Sequence, residues 1–452
     1  MKFTLIFTVL LCIHISGWSQ SSLIKMDKVK VDAPFEMPEI LIPNFNALPR
    51  YNIKDFGAEP QNKDKNALAI ERAINAATSK GGTVVIPAGE WLTKKIHLKS
   101  NVNLHITEGA TLLFSEDPKD YLPAVFSTWE GLECYNYSPL IYAYGLKNVA
   151  ITGEGTIKAQ MDVWKKWFPR PKPHMESIKN LYNWAQDEIP VEQRNMVNDT
   201  SNLRPQFIQF NRCENILIEN IKIRNSPFWT VHLYLSKNIV VRHIDIYAHG
   251  HNNDGIDPEM SQNILIENCV FDQGDDAIAI KSGRNPEGWR LKTASKNIVI
   301  RNCVMKDGHQ LLALGSELSG GIENVLVENC EAGSGAKLMH LLFIKTNERM
   351  GGYVKNIHFK NIKAQDLQDG ILGIDTDVLY QWRTLVATRI KKSTPIENIY
   401  LENISAKKGK FLSKINGNPE QPAKKILMKN VTLDTATEKE IQHKHVEGFI
   451  QN

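Results

Sequence analysis

Asn263-Ile264-Leu265-Ile266-Glu267-Asn268, Asn297-Ile298-Val299-Ile300-Arg301-Asn302 and Asn324-Val325-Leu326-Val327-Glu328-Asn329 are one phrase written three times. Each sets an aliphatic run and a charged residue between two asparagines. Upstream the phrase returns at Asn148-Val149-Ala150-Ile151, at Asn215 to Asn220, and at Asn238-Ile239-Val240-Val241-Arg242; downstream it returns at Asn356, Asn398 and Lys425. The closest starts are 23, 25 and 27 residues apart. Aliphatics alternating over such short runs make strands, and short strands at this period make a solenoid. The predicted fold is all-β: a single-stranded right-handed parallel β-helix. Its aliphatics stack inward, asparagines at equivalent turns form hydrogen-bonded ladders, and neighbouring coils lie about 4.8 Å apart. A leucine-rich repeat would need a Leu-x-x-Leu-x-Leu phrase, which is missing, and a propeller would need longer, antiparallel repeats.

Solenoid ends need caps. Residues 66–79 have helical apolar spacing and stop before Gly81-Gly82, so they are predicted to form an N-terminal capping helix. Residues 1–19 read as a signal peptide, with Lys2, an apolar run over 3–15 and a small-x-small site at Gly17-Trp18-Ser19. The expectation is export to the periplasm or the exterior. Residues 20–50, punctuated by proline, form an N-terminal extension expected to wrap loosely, and 51–452 form the β-helix domain. An insertion at 160–205 breaks the repeat with Trp164, Trp167, Phe168, Tyr182 and Trp184. Those rings either wall a sugar cleft or, more economically, pack the insertion onto the body.

The 452 residues are 42% hydrophobic and 23% charged, with a net charge of +4, which is too small to imply a nucleic-acid partner. Nothing beyond the leader is apolar enough to span a membrane. Cys134, Cys213, Cys269, Cys303 and Cys330 have no zinc-ligand spacing, and their odd number argues against a full disulfide framework. They are expected to pack only. No metal and no cofactor are expected, and the chain is read as a monomer.

Chemistry concentrates in Asn252-Asn253-Asp254-Gly255-Ile256-Asp257, Gly274-Asp275-Asp276-Ala277-Ile278-Ala279-Ile280-Lys281 and Gly308-His309-Gln310. Superposed coils set 275–281 over 309–315 and then over 339–345. With Ile278, Ile280 and Ile344 inward, Asp275, Lys281, Phe343 and Lys345 face outward. Asp254 and Asp276 fall in one column, Asp275 and His309 in the next. Crowded acids repel and raise at least one pKa, as general acid–base chemistry requires. A lone Asp-Gly usually makes a turn, and Asp257 is read that way. His249 and His251 sit on the loop beside Asp254.

Asn52-Ile53-Lys54-Asp55-Phe56-Gly57-Ala58, residues 83–89, Asn225-Ser226-Pro227-Phe228-Trp229-Thr230 and Ile280-Lys281-Ser282-Gly283-Arg284-Asn285 complete a pattern. Together with the acidic motifs, they make the chain resemble glycoside hydrolase family 28, the polygalacturonases and their relatives. The resemblance implies an inverting hydrolase that cleaves α-glycosidic links of galacturonate-containing pectic polysaccharides or oligosaccharides. In it Asp275 is the general acid, Asp254 and Asp276 hold and activate water, and His309 supports the cluster. Inverting carboxylates stand about 6.5–9.5 Å apart to leave room for that water. Lys345 matches the lysine of an Arg-x-Lys carboxylate-binding motif; Asn252, His251, Lys281, Gln310 and Phe343 are the other expected substrate contacts. Two departures matter. Gln310 replaces a glycine, and Phe343 replaces the motif's arginine, removing a bidentate carboxylate partner. His340, Lys281 or Arg349 is expected to compensate, or the substrate is rhamnogalacturonan or a decorated pectin. The alternatives are a calcium-dependent lyase of the same fold and a non-catalytic glycan-binding β-helix.

Overall fold

The computed structural model describes residues 24–333 and 338–452. The expected signal segment lies outside them. Successive coils pair in parallel and in register, and one inward column runs Ile216, Ile239, Ile264, Ile298, Val325, Ile357, Ile399, Ile426. A second sheet stacks Val231, Ile256, Ile278, Leu312, Leu342 and Leu372. All these side chains are buried. The architecture is the predicted right-handed parallel β-helix.

The asparagines do two jobs. Those opening each phrase, Asn148, Asn215, Asn238, Asn263, Asn297, Asn324 and Asn356, sit at φ between 56° and 61°. Asparagine tolerates this left-handed turn better than other residues with a side chain. Each also donates its amide to the asparagine one coil before, from Asn215 to Asn148 at 2.9 Å through Asn324 to Asn297 at 3.0 Å. A second ladder links Asn430, Asn403, Asn361 and Asn329 at 3.0–3.1 Å.

The capping helix spans Lys63–Thr78. It begins three residues before the predicted start because the Asn62 side chain accepts from the Lys65 amide. The N-terminal extension does not wrap loosely. Strands Lys25–Val29 and Ile40–Asn44 form an antiparallel hairpin. Its Ile24, Ile40, Ile42 and Phe45 cover Leu217, Val240, Leu265, Val299 and Leu326, the outward residues of the aliphatic runs. Those runs are apolar on both faces, as strands buried on both sides are, and the hairpin completes their burial.

The five cysteines are unpaired and buried. Among the described residues no helix is long and apolar enough to cross a membrane.

Candidate active site

Three loops precede the strands that carry the acids, and they stack backbone on backbone. A Cβ on Gly250 would sit 2.7 Å from both the Asn253 side chain and the Phe168 ring. Gly308, at φ 143°, has the Asp275 carbonyl 2.6 Å from where a Cβ would be. Close approach therefore requires glycine at these points. Below them the strand register places Asp254 next to Asp276, and Gln310 next to His340. The expected columns are present.

The acids lie on the floor of a cleft of about 430 Å³, a size suited to a small ligand. Asp275 is the most open of the three: its side chain is 21% exposed, against 5% for Asp254 and 1% for Asp276. His309 Nδ1 meets Asp275 Oδ1 at 3.0 Å. Lys345 Nζ donates to Asp276 Oδ2 at 2.9 Å. Lys281 lies beneath, its ammonium 3.6 Å from Asp254, 3.6 Å from Asp257 and 3.5 Å from Glu317, over the Trp229 ring.

Burial pushes the Asp254 carboxyl up to about 7, with repulsion from Asp275 adding to it. Asp276 is also raised, by burial first, against the pull of Lys345. Asp257 is raised well above the usual carboxylate range by burial and by Asp254. Asp275 moves the other way: burial opposes ionisation, but the hydrogen bond and charge of His309 outweigh it. His309 is correspondingly raised by its bond to Asp275. Asp254 is thus biased towards its protonated form while the neighbouring Asp275 is biased towards ionisation by His309, which is a pattern of catalytic sites.

Each remaining expected contact has a definite place. Asn252 and His251 line the cleft, and both are tied to the buried Arg204, which donates to the His251 carbonyl at 2.5 Å and to Asn252 Oδ1 at 3.0 Å. Burial, with the charges of Arg170 and Arg204, holds His251 down near 4, so it is neutral. Gln310 and Phe343 line the cleft, and Phe343 stacks on His340 with ring centroids 4.6 Å apart. His249 instead pairs with Asp272 at 2.6 Å. The three residues expected to compensate for Phe343 are otherwise occupied. Lys281 is matched by carboxylates, His340 is held near 4 by burial, and Arg349 is buried, donating to the Trp382 carbonyl.

Several cleft residues escaped the sequence reading. Asp257, read as a turn, lies fully buried on strand Ile256–Glu259. Glu130 comes from the tip of a hairpin, Val125–Trp129 with Leu132–Asn136. Glu317, Arg284, Tyr380 and Arg170 come from other loops. Arg284 pairs with Glu317, and with Glu130 at 3.5 Å. The Asp257 signal was available, since its position repeats on neighbouring coils; the loop residues have no period to reveal them. None of the five insertion aromatics lines the cleft. Tyr182, for example, accepts from Asn285 and packs on Trp382.

A parallel β-helix whose cleft floor carries closely set carboxyls suits a carbohydrate-cleaving enzyme of the two-carboxylate type. The chain matches Glycosyl hydrolases family 28 over residues 78–449, and it belongs to that family. It is a polygalacturonase-family glycoside hydrolase, which displaces the lyase and the non-catalytic alternatives. It is 29% identical over 409 residues to a probable polygalacturonase of Vitis vinifera, covering 85% of this chain and 74% of the other. It is 28% identical over 301 residues to an exo-poly-alpha-D-galacturonosidase of Dickeya chrysanthemi, covering 62% and 49%. The solved structure of a hyperthermoactive exopolygalacturonase from Thermotoga maritima superposes with a TM-score of 0.83 at 34% identity, covering 91% of this chain and 94% of that one.

Proposed function

We propose that this chain is an exo-acting, inverting polygalacturonase that removes sugar units from the end of pectic galacturonan. The observation that carries the exo reading is the wall beside the acids. Hairpin residues Trp129 and Leu132, insertion residues Ile178, Leu181 and Tyr182, and Trp382 of the C-terminal coils pack into one separate apolar cluster. Elements far apart in sequence thus pack into one wall, from which Trp229 and Trp382 also line the cleft, and the similarity to an exopolygalacturonase supports the same reading.

Asp275 suits the acid because it faces the open cleft and shares a proton with His309. When substrate expels water from this half-exposed pair, loss of solvation favours the neutral partners, and the proton passes from His309 Nδ1 to Asp275. Asp275 then gives it to the glycosidic oxygen as the C–O bond breaks. A water held by Asp254 and Asp276 attacks from the opposite face. Asp276, kept ionised by the Lys345 ammonium beside it, takes the proton that the water releases and is neutralised by it. Asp257, biased towards its neutral form by burial and by Asp254, limits the negative charge beside the pair.

A second reading rests on Phe343. Stacked with His340, it offers an apolar surface where a neutral or esterified sugar could lie, so rhamnogalacturonan and decorated pectin belong in the test. Unesterified, methyl-esterified and rhamnose-containing pectic oligosaccharides are incubated with the enzyme, and products are resolved by size and anomeric configuration. One short product of inverted configuration, formed from the first minutes on galacturonan, is expected. A spread of chain lengths would overturn exo action, retention would overturn the roles given to the acids, and exclusive cleavage of the rhamnose-containing substrate would favour the second reading.

A further inference from the structure

The cleft holds four long cations besides the buried Arg204, and three of them already have carboxylate partners. Lys281 has Asp254, Asp257 and Glu317, Lys345 has Asp276, and Arg284 has Glu317 and Glu130. The fourth, Arg170, lines the same cleft and makes no hydrogen bond or ion pair with any of the described residues.

Its mounting is unusual. Arg170 stands between Pro169 and Pro171 with φ 50°, a left-handed conformation that arginine seldom adopts. Proline also restricts the residue before it. Strain of this kind persists where the surroundings enforce it, and it gathers at ligand clamps. Here Phe168, two residues upstream, is wedged between Gly250 and the Arg204 guanidinium, 4.7 Å from its ring, so the segment is pinned to the loop that carries Asn252 and Asp254. The charge is felt locally, as Arg170 is among the causes that lower His251.

We propose that Arg170 is the specificity-determining cation of this cleft, receiving the carboxylate of a hexuronate in place of the arginine that Phe343 supplants. The inference rests on the galacturonan reading above. A guanidinium offers a carboxylate two parallel hydrogen bonds, which a methyl ester cannot accept equally well. Fixing the group between two prolines lowers the entropy lost on binding. The recognition element has moved from the strand to the insertion, on the side of the cleft nearer Asn252.

The test compares wild type with Arg170→Ala, Arg170→Gln and Arg170→Lys on unesterified and methyl-esterified oligogalacturonides. For the alanine and glutamine variants, KM on the free acid should rise about 10- to 100-fold, as expected for loss of a charge-assisted pair. Their kcat should stay within a few-fold, and preference for the free acid over the ester should shrink. Arg170→Lys should recover part of the loss. If wild type is active and both neutral variants keep its KM and its preference, the proposal is overturned while the galacturonan reading stands. If wild type cleaves no galacturonide, both are overturned. Thermal unfolding of each variant checks the fold, and because Arg170 has no partner to lose, Tm should be unchanged.

Discussion

Asp254 shows how the cleft trades stability for reactivity. Its folded-state value of about 7 stands above the ordinary 3.8. Between those values the folded protein binds the extra proton more tightly than the unfolded chain does, so stability falls as pH rises from about 4 to about 7. Below that window both states are protonated and the penalty is absent; above it the penalty is complete. Replacing the acid by its neutral isostere should relieve it, a familiar consequence of strained active sites. Asp254→Asn is therefore expected to be more stable than wild type at pH 8 by about 1–3 kcal/mol, allowing for attraction lost with Lys281. Near pH 4 the two should unfold within a degree or so of each other. Melting curves across this range decide the matter, and a variant less stable at pH 8 would contradict the assigned charge state. Turnover should be lost at every pH.

Among elements, the loop between strands Asp245–Ala248 and Ile256–Glu259 does the positioning. Arg204 holds it from one side, Phe168 packs against Gly250, and the Asn253 amide donates to the carbonyls of Ser226 and Phe228 at 2.9 and 3.1 Å. A methyl group at 250 must displace either the Asn253 side chain or the Phe168 ring. Gly250→Ala is expected to lower kcat at least tenfold, through a shift of Asp254, while costing only about 1–3 kcal/mol of stability, as overpacking does. Normal kcat in this variant would mean that the loop is not what positions the acid. This level also divides what the sequence disclosed from what it withheld. Strand register follows from side-chain parity, so the Asp254–Asp276 and Asp275–His309 columns could be read from the repeat alone. The wall could not, because Glu130, Arg170, Glu317 and Tyr380 lie on loops whose meeting depends on long-range packing. Asp257 lay between these cases: its strand position was readable, but its burial depended on the lysine beneath it.

At the scale of the whole molecule, a solenoid is stabilised by contacts between neighbouring coils, so damage in one place is felt locally. The N-terminal hairpin departs from that rule. It is contiguous in sequence yet lies across the outward aliphatics of six coils, from Ala150 to Leu326, on a different sheet from the one that floors the cleft. That cover was hidden in plain pattern: Leu265 and Val299 occupy positions where a sheet with one wet face would carry polar residues. Ile40 is fully buried at this seam, and its truncation leaves a cavity between hairpin and coils. Ile40→Ala should cost about 2–4 kcal/mol, the usual range for a buried aliphatic cut to alanine. The loss should appear first as faster amide exchange in residues 24–46 and along the outer strand face, since a surface layer can open without the rungs coming apart. Activity at 25 °C should match wild type because the acids stand on another sheet. Altered kcat with unchanged exchange would show the hairpin to be coupled to the cleft and would refute its role as a passive cover. Faster exchange with intact turnover is the pattern that a separable outer layer requires.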